Sequence, residues 1–208
     1  MILCVVTDRR RRDPIAQAGE AAAAGIDLIQ VRERDLQARE LSALVSGVVA
    51  ATRGTATRVV VNDRLDVALA CGADGIHLRE DSVAAVRVRA VSPAGFLIGR
   101  SVHRADEAVS VAPAADYLIA GTVFPTDSKP GLTGLLGLDG LAAVVKAVSI
   151  PVLAIGGVTE ERAAGVAASG AAGVAAIGLF ADVKRPIKEV AHLFRERFTI
   201  NGDPPLQP

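Results

Sequence analysis

The stretch Leu28-Ile-Gln-Val-Arg-Glu-Arg34 changes abruptly from a short apolar run to charged residues. The same change recurs along the chain, where VVV leads into Asn62-Asp63, LIG into Arg100-Ser101, and LIA into Gly121-Thr122. Two further runs, PVLAI and GVAAI, stop at glycine. Polar residues at the C-terminal ends of many parallel strands are how a (β/α)₈ barrel builds an active site. The recurrence therefore predicts the α/β class and a single (β/α)₈ TIM barrel.

Apolar runs of strand length alternate along the chain with amphipathic or alanine-rich segments of helical length. The runs are mostly unbroken, as expected for parallel strands that are covered on both faces. We predict strands at 2–6, 28–31, 58–61, 75–78, 96–99, 117–120, 152–155 and 173–177. We predict helices at 14–24, 36–52, 65–70, 83–90, 105–111, 138–147, 160–168 and 187–198. A doubly wound open sheet is the alternative, but its Gly-x-Gly-x-x-Gly fingerprint does not follow the first strand.

The length of 208 residues fits one domain, which we place at 1–200 as a catalytic barrel, followed by a disordered, proline-rich tail at 201–208. The 23 basic and 23 acidic residues balance, so no global field attracts nucleic acid or an anionic membrane. Cys4 and Cys71 are too few for a disulfide framework or a metal site. No leader and no apolar run of membrane-spanning length is evident, which predicts a cytoplasmic protein.

Arg32 and Arg34 follow the second predicted strand and lie two positions apart. If the backbone stays extended there, both side chains project to one face, with Glu33 opposite. Two guanidinium groups on one side of a barrel mouth suit a polyanion such as a diphosphate. The alternative is a surface cluster of ion pairs with Glu33 and Asp35. The arginine run 9–12 follows the first strand, so one of its members could lean over the same mouth.

Carboxylates follow the third and fourth predicted strands. Asp63, next to Asn62, suits Mg²⁺, which prefers carboxylate and phosphate oxygens. The alternative for Asp63 is to cap the helix that follows. Asp81 offers a second carboxylate, although Asp81 or Ser82 could equally cap its own helix. His77 lies within the fourth strand, where a hydrogen-bonded core histidine is more typical than a catalyst.

The last two predicted strands end in a way that favours phosphate binding. Gly156-Gly157 follows the seventh strand, and Ile177-Gly178 lies at the end of the eighth. Barrels commonly bind phosphate at this point through backbone N–H groups. The alternative is that these glycines only terminate strands.

Hydroxyl groups and one lysine follow the fifth and sixth predicted strands. Ser101 could donate a hydrogen bond to a phosphate, whereas His103 is more typical of a structural turn residue. The long connection after the sixth strand is expected to be a binding loop. Within it Lys129 could close over a diphosphate, and Thr126 and Ser128 add hydroxyl groups.

Taken together, these motifs resemble the thiamine phosphate synthase / TenI family. The matching segments are Gln30-Val-Arg-Glu-Arg34, Val61-Asn-Asp-Arg-Leu-Asp66, Gly72-Ala-Asp-Gly-Ile-His-Leu78, Gly99-Arg-Ser-Val-His103, Gly121-Thr-Val-Phe-Pro-Thr-Asp-Ser-Lys129 and Ile155-Gly-Gly157. They span most of the chain in the family's order. The resemblance implies a TIM barrel of thiamine biosynthesis that couples hydroxymethylpyrimidine diphosphate to hydroxyethylthiazole phosphate and releases diphosphate with Mg²⁺. Its partners would be small phosphorylated substrates, and a homo-oligomer stays open.

The resemblance also implies roles for residues by position. The diphosphate would be held by Arg32, Arg34, Asn62, Ser101 and Lys129. Mg²⁺ would be bound by Asp63 and, if the alignment has one deletion, by Asp81. The pyrimidine would face Gln30, and the thiazole phosphate would be bound by Gly157 and the backbone of Ile177 and Gly178. From the residues themselves we add Gly156 and, in the loop, Thr126 and Ser128 to the substrate-binding set.

Several positions depart from the synthase pattern. Synthases usually carry lysine at Arg34 and serine at Gly178. The segment Gly99-Arg-Ser-Val-His103 is more similar to TenI proteins, which isomerise a thiazole carboxylate phosphate. The catalytic histidine of that branch, however, falls on Thr122. The resemblance therefore implies a transferase, with a TenI-type thiazole tautomerase as the alternative and a catalytically silent thiamine phosphate-binding protein as a third hypothesis.

Overall fold

Parallel strands close into a barrel in the computed structural model of the protein, which describes residues 1–126, 131 and 133–199. The strands pair in chain order, and the eighth pairs with the first to complete the ring. They are β1 (Ile2–Val6), β2 (Leu28–Val31), β3 (Arg58–Asn62), β4 (Gly75–Leu78), β5 (Leu97–Val102), β6 (Tyr117–Gly121), β7 (Val152–Ile155) and β8 (Gly173–Ala176). This topology confirms the prediction of a single (β/α)₈ barrel, while the predicted tail at 201–208 lies outside the described residues.

Helices follow the strands and cover the outside of the barrel. They are α1 (Pro14–Ala23), α2 (Ala38–Thr52), α3 (Leu65–Ala70), α4 (Ala85–Val91), α5 (Ala105–Val111), α6 (Gly137–Ala147), α7 (Glu160–Ala168), α8 (Gly178–Ala181) and α9 (Ile187–Thr199), with a short 3₁₀ helix at Ala112–Ala114. Across the described ranges, none of these helices combines the length and the apolar character that crossing a bilayer requires.

Four strands end at a residue other than the predicted one, and two of these, β3 and β6, run only one residue further, to Asn62 and Gly121. β5 continues to Val102 instead of ending at Gly99, because Ser101 pairs with Ile119 of β6. Backbone pairing, and not the change to polar side chains, decides where this strand stops. Ile177, predicted as the last residue of β8, is instead the N-cap of the unpredicted helix α8.

Alternate strand residues divide between two apolar cores, as the two-residue period of a strand requires. In β1, Leu3 and Val5 face the layer between sheet and helices, whereas Cys4 and Val6 face the barrel interior. The buried interior residues are Cys4, Val6, Leu28, Val60, Tyr117, Ile119, Leu153 and Ala175. Because these side chains fill the barrel, inward-facing polar residues further along the strands lie at its C-terminal mouth.

Aspartates that precede strands hold the opposite end of the barrel together. Each accepts a hydrogen bond from a backbone N–H of the preceding strand: Asp27 from Leu3 (2.9 Å), Asp74 from Val59 (2.7 Å) and Asp116 from Ile98 (2.7 Å). A buried N–H without an acceptor would cost roughly 1–3 kcal/mol. The recurrent Ala-Asp and Ile-Asp junctions therefore stabilise the end of the barrel that lies away from the mouth.

Gly99 makes room for two rings inside the barrel. A Cβ at this position would lie 2.1 Å from Cζ of Tyr117 and 2.6 Å from Nδ1 of His77. The two rings pack with their centroids 5.7 Å apart. Any larger residue would displace one of them, so Gly99 sets the position of His77 just below the mouth.

Candidate active site

A cavity of about 1000 Å³ opens at the C-terminal ends of the strands. Its wall includes most of the residues predicted for the site: Gln30, Arg32, Arg34, Asn62, Ser101, Thr126, Gly156, Gly157, Ile177 and Gly178. Ser128 and Lys129, also predicted, lie outside the described residues. Asp63 and Asp81 are not in the wall, but Arg79, which contacts both carboxylates, is.

Arg32 and Arg34 both border the cavity although they lie beyond the end of β2. The hydroxyl of Thr7 holds this segment, since it accepts from the Arg32 N–H at 3.0 Å and donates to Glu33 Oε1 at 2.7 Å. Glu33 is buried, and its carboxylate bonds to Thr7 and to the backbone of Arg9. Burial, and then the neighbouring charge of Arg34, lower the pKa of Arg32. The charged form of Arg32 is therefore destabilised by burial and by the charge of Arg34, and a bound anion would reduce this cost in free energy.

The alternative assignment of this segment, a surface ion-pair cluster, is wrong. Asp35 pairs with Arg9 at 3.0 Å and with Arg10 at 2.8 Å, and Glu33 lies 3.8 Å from Arg9. Within the described ranges, no carboxylate lies within 4.0 Å of the guanidinium groups of Arg32 and Arg34. The acidic residues of the segment are thus neutralised by the loop after β1, and the two cavity cations are not.

Gln30 and Asn62 form a pair of amides at the floor of the cavity. Gln30 Nε2 donates to Asn62 Oδ1 at 3.0 Å, and Gln30 is buried. Within the described ranges no acceptor is bonded to the N–H donors of Asn62, so they are available to an external acceptor. An anion in the cavity is the kind of acceptor that they suit.

His77 is a neutral positioning group beneath Ser101. Its Nε2 lies 2.9 Å from Ser101 Oγ and its Nδ1 lies 3.3 Å from the hydroxyl of Tyr117. Burial, followed by the charges of Arg100 and Arg32, lowers the pKa of His77 to about 3. The ring is therefore uncharged at neutral pH and orients the Ser101 hydroxyl at the cavity wall. This agrees with the expectation of a hydrogen-bonded core histidine.

Asp63 has an unusual backbone conformation directly after β3. Its φ is 63°, in the left-handed region that aspartate tolerates better than most residues. Its carboxylate accepts a hydrogen bond from the Ser82 hydroxyl and lies 3.8 Å from Nε of Arg79. The N-cap of α3 is Arg64, without a capping side chain, so the helix-cap alternative for Asp63 is wrong.

The helix-cap alternative for Asp81 and Ser82 is also wrong. The N-cap of α4 is Ala84, without a side-chain hydrogen bond. Ser82 Oγ instead accepts from the Arg79 N–H at 2.7 Å, which folds the loop back towards Asp63. Asp81 pairs with the Arg79 guanidinium, and this hydrogen bond lowers the pKa of the Asp81 carboxyl. Its side chain is 69% exposed.

Arg79 is a cavity residue that the sequence reasoning missed. It lies two positions beyond His77, which faces the interior, so the alternation of β4 was the signal that could have found it. Its guanidinium lies between the carboxylates of Asp63 and Asp81. The local charge therefore has two negative groups and one positive group, with Arg32 and Arg34 in the same cavity wall.

The oxygen donors beside the cavity suit Mg²⁺ that is bound partly by substrate phosphate and water, and do not suit a metal ion held by protein side chains alone. Among the described residues, no three His, Cys, Asp or Glu side chains are grouped so that they could hold a metal ion. Mg²⁺ is usually bound by one or two carboxylates together with substrate phosphates and water. The Asp63 carboxylate, with the Ser82 hydroxyl against it, would serve as such a minimal ligand. Asp81 is the weaker candidate because its carboxylate is already paired with Arg79.

Gly157 shapes the opposite side of the cavity. Its φ of +62° is in the left-handed region, and a Cβ there would lie 2.3 Å from the carbonyl oxygen of Pro125. The Gly157 carbonyl accepts from Arg162 at 2.5 Å, and that guanidinium stacks on the ring of Phe124 at 4.6 Å. Only glycine allows the end of β7 to pack this closely against the loop after β6.

His103 makes structural contacts at the cavity rim, as its turn position predicts. Its Nδ1 is hydrogen-bonded to the carbonyl of Gly121, and its backbone N–H donates to Glu107 at 2.7 Å. Its Nε2 lies 3.5 Å from Glu80. The imidazole thus joins the ends of β5 and β6.

Fold and site together define a (β/α)₈-barrel protein with a cation-rich cavity at the C-terminal ends of its strands. Residues 3–180 match a family model described as thiamine monophosphate synthase. The chain is 43% identical over 181 residues to the thiamine-phosphate synthase of Methanoregula boonei, covering 86% of this chain and 83% of the relative. It is 42% identical over 171 residues to that of Methanoculleus marisnigri, covering 80% and 81%.

A solved structure gives the same result. Thiamine phosphate pyrophosphorylase from Pyrococcus furiosus superposes with a TM-score of 0.84 at 33% sequence identity, covering 96% of each chain. The protein belongs to the thiamine monophosphate synthase family. These matches confirm the predictions of the family and of a transferase of the thiamine phosphate synthase type.

Proposed function

We propose that the protein joins hydroxymethylpyrimidine diphosphate to hydroxyethylthiazole phosphate and releases diphosphate. The observation that carries this proposal is the presence of Arg32, Arg34 and Arg79 in one cavity wall, facing the backbone ends of β7 and β8. The cationic side suits a diphosphate, and the glycine-rich side suits a phosphate monoester. One cavity therefore has a place for each of the two anionic groups in the reaction.

The chemical problem is the charge that accumulates on the leaving diphosphate. When the bond between the pyrimidine methylene carbon and the diphosphate oxygen breaks, its electrons leave with the diphosphate and the pyrimidine becomes a carbocation. The thiazole nitrogen then donates its lone pair to that carbon. Arg32 is half-buried with its backbone fixed by Thr7, and Arg34 borders the same cavity, so both cations would stabilise the departing charge.

Neutral donors complete the proposed diphosphate site. The bond from Gln30 to the Asn62 carbonyl orients the amide, whose N–H groups would donate to the diphosphate, and Ser101 is oriented by His77. Lys129 and Ser128 would add a cation and a hydroxyl from the loop after β6, with Thr126 at its start. Mg²⁺, bound by Asp63 with Asp81 as a second candidate ligand, would neutralise diphosphate oxygens.

The isomerase alternative lacks an acid–base group at the position where the resemblance places one. Thr122 stands there, and its hydroxyl does not titrate near neutral pH. His77 lies deeper in the barrel, and its pKa of about 3 makes it a weak base that is uncharged at neutral pH. The synthase reaction needs no general base at this position, since the nucleophile is already a neutral ring nitrogen.

Turnover with both substrates and Mg²⁺ tests the proposal directly. We expect thiamine phosphate and diphosphate to appear in equal amounts. Arg32→Gln should lower turnover by about 10²–10³-fold, the usual effect of removing one transition-state contact. Arg58→Gln is the matched control because Arg58 is exposed at the start of β3, at the opposite end of the barrel.

Two outcomes would contradict the proposal. Absence of product from the wild type, together with isomerisation of thiazole carboxylate phosphate, would establish the TenI-type activity instead. Absence of both reactions with tight binding of thiamine phosphate would identify a silent binding protein.

A further inference from the structure

The arginine run 9–12 lies in the loop between β1 and α1, and its four guanidinium groups have different surroundings. Three of them pair with carboxylates: Arg9 and Arg10 with Asp35, and Arg12 with Glu20. Across residues 1–126, 131 and 133–199, no carboxylate lies within 4.0 Å of the Arg11 guanidinium. Arg11 lines the cavity instead. The protein neutralises three of these charges and leaves the fourth at the substrate site.

Contacts of the neighbouring residues hold Arg11 in this place. The Arg11 N–H donates to the carbonyl of Asp8 at 2.9 Å, which closes a turn. Arg12 Nη1 donates to the carbonyl of Phe180 at 3.1 Å, which ties the loop to α8. As a result, Arg11 Nη1 lies 3.4 Å from the position that a Cβ on Gly178 would occupy. The guanidinium thus lies beside Gly178, where a side chain would come into contact with it.

The other arginines at this end of the cavity are already engaged by protein groups. Arg162 stacks on Phe124 and donates to the Gly157 carbonyl. Arg185 pairs with Glu160. Among the arginines that the structure describes at the ends of β7 and β8, Arg11 is therefore the one with the most freedom to bind an external anion.

We infer that Arg11 binds the phosphate monoester of the thiazole substrate, beside the backbone of Gly178. This inference rests on the proposed function. Backbone N–H groups alone offer neutral donors, whereas a guanidinium adds a full positive charge and a planar pair of N–H donors that matches two phosphate oxygens. Arg11 thus makes the site select the phosphorylated thiazole over the free thiazole alcohol.

Calorimetric binding of hydroxyethylthiazole phosphate and of unphosphorylated hydroxyethylthiazole tests this role on the full chain. Arg11→Gln is expected to weaken binding of the phosphate by about 10- to 100-fold, the value of a charge-assisted hydrogen bond. Binding of the free alcohol should not change. Arg11→Lys keeps the charge but not the planar pair of donors, so its affinity for the phosphate should lie between those of the wild type and Arg11→Gln. Steady-state kinetics should show a higher KM for the thiazole phosphate with a similar kcat.

Arg10→Gln is the matched control, since Arg10 is a neighbouring, 75% exposed arginine that pairs with Asp35. It should bind both compounds as the wild type does. Equal affinity of Arg11→Gln and the wild type for the phosphate would overturn the inference and leave the proposed function intact. An equal loss of affinity for both compounds would also overturn it, because it would reveal a structural defect. Failure of the wild type to bind either compound would refute the proposed function itself.

Discussion

Replacing Asp63 by glycine and by alanine separates its backbone conformation from its carboxylate. Both variants remove the carboxylate, which accepts from Ser82 and lies 3.8 Å from Arg79. They differ only in the Cβ. At a φ of 63° a Cβ costs roughly 1–2 kcal/mol, and glycine avoids that cost. We therefore expect Asp63→Gly to exceed Asp63→Ala in free energy of unfolding by about 1 kcal/mol.

The comparison with the wild type follows from the same contacts. Loss of the hydrogen bond from Ser82 should cost about 1 kcal/mol, because the Asp63 side chain is 33% exposed and water replaces part of the contact. Glycine should offset most of this loss, which leaves Asp63→Gly within about 1 kcal/mol of the wild type. Urea titration of the three proteins measures these differences, with equal m-values as the check on two-state unfolding.

Turnover should not follow this order of stability. Both variants should lose about 10²–10³-fold in kcat, because neither has the carboxylate proposed for Mg²⁺. Asp66→Asn is the control, since Asp66 is 65% exposed and pairs with Arg64. Equal stability of the alanine and glycine variants would refute the left-handed conformation. Wild-type turnover of Asp63→Gly would refute the metal role while leaving the backbone argument in place.

Two further predictions concern the electrostatics of the cavity. His77 has a pKa of about 3 in the folded protein against 6.5 for an unperturbed histidine, so the unfolded chain binds the extra proton between these values. Through this group, the wild-type free energy of unfolding should therefore fall by about 1.4 kcal/mol for each pH unit below pH 6.5. Urea titrations at pH 7 and pH 5 should show that His77→Gln lacks this component. The same dependence of unfolding free energy on pH in the variant and the wild type would contradict the buried neutral ring. Arg79→Gln should strengthen Mg²⁺ binding to the free enzyme about fivefold, because the removed cation lies 3.8 Å from Asp63 and such a partly exposed pair contributes up to about 1 kcal/mol. The rise in Tm on adding Mg²⁺ measures this affinity. Arg104→Gln is the control, because it removes a similar ion pair with Asp106. Weaker Mg²⁺ binding in the Arg79 variant would count against the argument.

The order of strands and helices could be predicted because its signals are local. An unbroken apolar run such as Val152–Ile155 forms a covered parallel strand whatever its neighbours are. The end of β5 could not be predicted in this way, since Ser101 and Val102 remain in the strand only because β6 offers backbone partners. The helix-cap alternatives were wrong for the same reason: Asp63 and Ser82 are close in sequence to helix starts but bond to each other across two loops.

Much of the candidate site was also predictable, because polar residues at strand ends must meet at one mouth when the strands are parallel. Arg32, Arg34, Asn62 and Ser101 followed from that rule and line one cavity. Asp63 and Asp81, the carboxylates predicted after β3 and β4, do not line this cavity.

The sequence by itself determined the barrel, its family and the set of strand ends that surround the cavity, since apolar periodicity and short motifs are properties of neighbouring residues. Only the tertiary structure decided which charges stay available there. Nothing in a run of four arginines distinguishes Arg11. The other three are neutralised by Asp35, in the loop between β2 and α2, and by Glu20 of α1, which leaves Arg11 without a carboxylate partner among the described residues. Electrostatic pairing acts through space between residues far apart in the chain, and so no local pattern records it.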